Sequence, residues 1–93
     1  MTATVTVEKI GDLEFLVRVS EAGSESTHRV TLKQDDYDSL TGGKVKPEEL
    51  VKQSFEFLLE RESKESILSR FDLSVIRRYF PEYDREIKRR VTV

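Results

Sequence analysis

The chain has no cysteine, which removes disulfide bonds, thiolate zinc sites and thiol nucleophiles together. It has one histidine, His28, so the stock of groups from which a catalytic site could be assembled is small. No apolar run approaches the roughly 18 residues needed to span a bilayer, and the N-terminus lacks the apolar core of a signal peptide. These absences lead us to expect a cytoplasmic protein without membrane association. Internal repeats, low-complexity segments and domain linkers are also missing.

What is present is charge: 37% of the 93 residues are Asp, Glu, Lys or Arg, with a net charge of −2. That figure conceals a division. Residues 1–60 hold 7 basic and 12 acidic side chains, whereas residues 61–93 hold 9 basic and 6 acidic ones. Such asymmetry suits an anionic partner at the basic end, and also suits ordinary solvated surface. A chain of this length makes one α+β domain, 1–93, burying somewhat over ~60% of its unfolded surface. Six of its eight aromatics (Phe55, Phe57, Phe71, Tyr79, Phe80 and Tyr83) lie in the second half, which therefore carries the densest apolar load.

The first third, residues 1–33, reads as a three-stranded antiparallel meander. Val5 and Val7 alternate with Thr4, Thr6 and Glu8, and Gly11-Asp12 makes a turn. Phe15, Val17 and Val19 repeat the period, and after a loop around Gly23 so do His28, Val30 and Leu32. One apolar face results, and it needs a helical layer, here residues 34–90, to cover it. Asp35 and Asp36 open a short helix that Gly42-Gly43 closes.

The central element is a long helix from Pro47 to about Glu62. Leu50, Val51, Phe55, Phe57, Leu58 and Leu59 spread over an arc of roughly 200°, wider than the stripe of a surface helix, so this helix must be buried on two sides. Glu49, Lys52, Gln53, Glu56 and Glu60 form its one wet strip. Pro47 suits the first helical position, and Glu48 and Glu49 suit the positive end of the dipole. Two or three short helices come next, completing two layers. Ser63 caps one through Ile67, Leu68 and Phe71; Asp72 caps another carrying Leu73, Ile76, Tyr79 and Phe80, which Pro81 stops. Glu82 to Arg90 reads as a charged helix with Asp84 facing Lys88 and Glu86 facing Arg90, and residues 91–93 as a tail or edge strand.

Chemistry-bearing patterns are weak. His28 shares the strand alternation of Val30 and Leu32, which favours a structural role, and a triad written from Ser24 or Ser26, His28 and Asp35 lacks a nucleophile elbow. The cluster Asp35, Asp36 and Asp38 fails the calcium-loop template, because Leu40 and Pro47 stand where ligands belong; acids at a helix start explain it. Gly42-Gly43-Lys44 lacks the earlier glycine and the following hydroxyl of a phosphate-binding loop. No cofactor and no metal are expected.

Residues 54–62 (Ser-Phe-Glu-Phe-Leu-Leu-Glu-Arg-Glu), then Ser66-Ile67-Leu68, Phe71-Asp72-Leu73, Ile76 and Tyr79-Phe80-Pro81-Glu82-Tyr83, resemble the signature of a family of small uncharacterised prokaryotic proteins. The resemblance covers about a third of the chain. It implies a stand-alone domain and no catalytic residue, since that family carries no established activity.

The expected function is therefore a non-enzymatic interaction or regulatory domain. It would bind a protein partner through its basic C-terminal helical surface, using Arg77, Arg78, Arg85, Arg89 and Arg90. The alternative is a nucleic-acid-binding regulator with a short helix-turn-helix at residues 65–79. Monomer and homodimer are both open, since an edge strand could pair across a two-fold axis.

Overall fold

The computed structural model describes residues 3–91. Its first three strands are those the alternation predicts: β1 (Thr4–Gly11), β2 (Glu14–Glu21) and β3 (Ser24–Thr31), paired antiparallel in sequence order. The register sets Val5 against Val19, Val7 against Val17, and Val17 against His28, so the apolar set shares one face. A shift by one residue would turn that whole set to solvent. The β2–β3 turn has positive φ at both central residues, 53° at Ala22 and 81° at Gly23, the twist that matches a right-handed hairpin.

Helix α1 (Gln34–Thr41) ends where Gly42 turns left-handed at φ 61°, its N–H donating to the Asp38 carbonyl. Helix α2 (Pro47–Leu59) is the central rod. Leu50, Val51, Phe55 and Phe57 are fully buried, and the helix packs on β1 on one side and on the last helix on the other. Burying a phenylalanine such as Phe55 or Phe57 contributes roughly 1.5–3 kcal/mol. Lys52 and Glu60 stay on the wet strip.

The structure corrects the reading of residues 63–73. Ser63 does not cap a helix through Phe71: Lys64–Ser66 is one 3-10 turn, and Arg70–Asp72 is a strand, β4. It pairs parallel to β3, with Arg29 opposite Arg70, Val30 opposite Phe71 and Thr31 opposite Asp72. The sheet is thus four-stranded and mixed, in the order β1-β2-β3-β4. Its cause is the open outer edge of β3, whose Arg29 N–H donates to the Ser69 carbonyl at 2.8 Å.

Asp72 does act as a cap, its carboxylate accepting the Ser74 N–H at 3.0 Å. A 3-10 turn, Leu73–Val75, runs into the single helical turn α3 (Ile76–Tyr79), and Phe80 before Pro81 is extended. Helix α4 (Tyr83–Val91) keeps Val91 helical and buried, where the sequence predicts a tail; residues 92–93 of that tail lie outside the described residues. In α4, Asp84 accepts from Arg77, and the expected Glu86–Arg90 pair gives way to Glu86 accepting from Arg89 while Arg90 reaches Glu60 on α2. Among the described residues no helix is long and apolar enough to cross a membrane.

Candidate functional site

An open apolar cleft lies where the end of α2, the 3-10 turn, β4 and α3 meet. The chain between α2 and β4 is tied to the sheet by the Ser69 contact and by His28, whose Nδ1 donates to the Leu68 carbonyl at 2.7 Å. With its backbone pinned there, the segment sends Ile67 inward and leaves the Leu68 side chain out, 50% exposed. Phe71 on β4 packs against Phe55, ring centroids 5.9 Å apart. Ile76 is buried, and Tyr79, three residues on along the same turn, is 68% exposed. Periodicity assigns Leu68 and Tyr79 to the apolar faces of core helices. With no helix through Leu68 and only one turn of α3, those faces do not form.

Between these groups is an open cleft of about 200 Å³, floored by Leu58, Ile67, Phe71 and Ile76, with Leu68, Tyr79 and Phe80 on its rim. Glu62 and Ser66 are its polar wall. Ligand pockets for drug-sized molecules are about 300–1,000 Å³ and gather several convergent polar groups. This cleft is smaller, mainly apolar and open.

The five arginines expected to make contacts divide into two sets. Arg77 is half-buried and holds two helices together: its Nε donates to Asp84 at 3.0 Å and its Nη2 to Asp36 on α1 at 3.4 Å. Burial works against its charge, but the two carboxylates outweigh it and raise its pKa. Arg90 forks onto both oxygens of Glu60 at 2.7 and 2.8 Å. That hydrogen bond is the main reason the Glu60 carboxyl sits below its ordinary range. Arg89 donates to Glu86 at 2.6 Å and keeps 72% of its side chain exposed. Arg78 and Arg85 are exposed, with no hydrogen bond or salt bridge among the described residues. Arg70, beside Phe71 on β4, is likewise exposed and unpaired among them.

Two arginines stack on Phe57: Arg61 lies 3.7 Å from the ring centroid and Arg90 5.7 Å away. They cover the ring while Glu82 and Glu60 take their charge. These contacts are structural, and periodicity gives no sign of them.

The helix-turn-helix expected over residues 65–79 is absent, because the intended first helix is a 3-10 turn and the intended turn is β4. His28 is 2% exposed, and its Nε2 faces Ser26 Oγ at 2.8 Å. The serine-histidine contact that the sequence pattern disfavours therefore forms. Its third member is the Leu68 carbonyl instead of Asp35, and the cleft's lining includes neither Ser26 nor His28. With both nitrogens occupied, His28 makes no bond to Asp35, Asp36 or Asp38. Among the described residues no three acidic or imidazole groups converge on a metal position. The Asp72 carboxyl is half-buried. Burial opposes its charge, but bonds from Ser74 and Thr31 and the nearby Lys33 outweigh that and hold it below the usual range.

No protein-family model, curated protein or solved structure matches the chain. The likeness of residues 54–83 to a prokaryotic family accordingly stays a likeness and assigns no site residue.

Proposed function

We propose that the protein is a non-enzymatic interaction domain whose basic C-terminal face receives a segment of another protein. One apolar side chain of that segment enters the cleft between Leu58, Ile67, Phe71 and Ile76, and its carboxylates meet Arg78 and the neighbouring exposed arginines. The observation carrying this reading is the pair Leu68 and Tyr79, which are 50% and 68% exposed on the rim of an apolar cleft. A large apolar side chain left in water beside an apolar cleft is the usual surface of a contact hot spot. Arg77 and Arg90 are withdrawn from the contact set by their bonds to Asp36, Asp84 and Glu60.

The experiment is site-specific photo-crosslinking in cells that make the protein. A benzophenone amino acid replaces Tyr79 in one culture and Thr27, exposed on the opposite sheet face, in another. Protein adducts at position 79 that resist nuclease and are absent at position 27 support the reading. Equal adducts at both positions, or adducts at position 79 made only with nucleic acid, overturn it.

A further inference from the structure

The far edge of the sheet carries a second, independent surface. In a strand, successive residues send their backbone N–H and C=O groups to alternate sides. The Arg29 N–H points to Ser69, away from β2, so its β2 partner Leu16 spends its own groups on β1, where it meets Glu8. Glu8, Thr6 and Thr4 therefore bond to β2, and Val5 and Val7 turn their N–H and C=O groups outward along an edge with which no strand among the described residues pairs. That stretch has no proline, its irregularity begins only past Lys9, and its first charge is Glu8, so the usual guards of an edge strand are missing from Thr4 to Val7.

Space is available beside the edge. The N-terminal half of α2 overhangs β1, leaving an open groove of about 520 Å³ with Val5, Val7 and Val45 on its apolar side. Its outer wall carries Lys46, Glu48, Glu49 and Lys52. Two cations and two anions give a neutral wall of mixed sign. Such a wall adds no net charge repulsion when a two-fold axis brings two copies together.

We infer that β1 is a docking edge for a second copy of this chain, pairing antiparallel with its own counterpart across a two-fold axis at Thr6. This register sets Val5 opposite Val7 of the other copy, twice, so the outward backbone groups of both valines find partners and their side chains meet under the overhanging helices. Thr6 faces its own copy on the solvent side. A register centred on Val7 would instead place Val5 against the exposed Lys9, which wastes the apolar face. The product is a continuous eight-stranded sheet with both α2 helices on one side of the junction.

Sedimentation velocity on the purified chain, from micromolar to near-millimolar concentration, tests this together with three variants. The wild type dimerises. Thr6→Lys sets like charges directly opposite one another and weakens the dimer by about tenfold or more while circular dichroism stays unchanged. In this cysteine-free chain, Thr6→Cys gives a disulfide-linked dimer on mild oxidation, and Thr4→Cys, which the register places opposite Glu8, does not. A chain that is monomeric throughout the range overturns the inference, as would happen if a strand of an unrelated protein were the occupant. So does a dimer indifferent to Thr6→Lys, or equal cross-linking at positions 4 and 6.

Discussion

Ser54 on α2 and Tyr83 at the start of α4 meet through their hydroxyls at 2.7 Å, both side chains fully buried. Ser54 also donates to the Leu50 carbonyl at 2.8 Å. A serine has one hydrogen to give, so Tyr83 is the donor in the contact between them. The two deletions should therefore cost different amounts. Tyr83→Phe leaves Ser54 bonded to Leu50 and costs about 0.5–1.5 kcal/mol, whereas Ser54→Ala strands the Tyr83 hydroxyl in the core and costs about 1–3 kcal/mol. The double variant should cost less than the two single costs added together. Urea midpoints of the three variants check this, and Tyr83→Phe proving the costlier single change would reverse the donor assignment.

Burial also raises the Tyr83 pKa. The folded state then holds this proton more tightly than the unfolded chain does, so stability is lost as pH rises past about 10, the unfolded tyrosine value. Melting temperatures across the alkaline range should fall less steeply for Tyr83→Phe than for wild type.

Arg77 and Arg78 are neighbours in sequence with opposite roles. Arg77→Ala removes the partner of Asp36, whose Oδ2 is already buried without a hydrogen bond, and unfastens α1 from α4. A loss of about 1–2 kcal/mol is expected, discounted because Arg77 is one-third exposed. Arg78→Ala should change stability by no more than about 0.5 kcal/mol. Denaturant titrations in parallel separate the two; equal losses would mean Arg78 has an internal role.

Asp72 links three elements by capping the turn that precedes α3, accepting from Thr31 at 2.7 Å and lying 3.6 Å from Lys33. Its depressed pKa means its contribution is complete above the unfolded aspartate value of about 4 and disappears as pH falls below it. Asp72→Ala should cost about 1–2 kcal/mol at neutral pH, most of it the cap. The gap between variant and wild type should begin to narrow by pH ~3, below the unfolded aspartate value. Chemical denaturation at both pH values is the measurement, and a gap that widens in acid would contradict the assignment.

Ala22 holds φ at 53°, a conformation that penalises a β-carbon, next to Gly23 at 81°. Ala22→Asn creates the favoured Asn-Gly turn with nothing else disturbed, and should stabilise by about 0.5–1 kcal/mol. Thermal denaturation decides it: a lowered melting temperature would show that the turn is not held by backbone preference.

The parts of this molecule legible in its sequence are those whose cause is local. The alternation of β1 to β3, the glycine after α1, the proline opening α2 and the two-sided apolar arc of that helix all act within a few residues, and each can be read directly. The unread parts depend on partners far along the chain. β4 is three residues long, too short to display a period, and exists because β3 has a free edge 41 residues away. The basic run reads as one surface because each arginine looks alike locally. Asp36 is 41 residues from Arg77 and Glu60 is 30 from Arg90, and those carboxylates decide which guanidiniums are free. Likewise, Leu68 and Tyr79 are apolar by composition and exposed by geometry.

The parallel pairing of β4 sets an order of assembly during synthesis. The three hairpin-linked strands can close as soon as Thr31 has left the ribosome, yet their fourth strand is still some forty residues from being made. Until Phe71 arrives to cover Phe55, the nascent meander has both margins bare. Translation speed over residues 32–72 therefore governs how long each new molecule is exposed to its neighbours on the polysome.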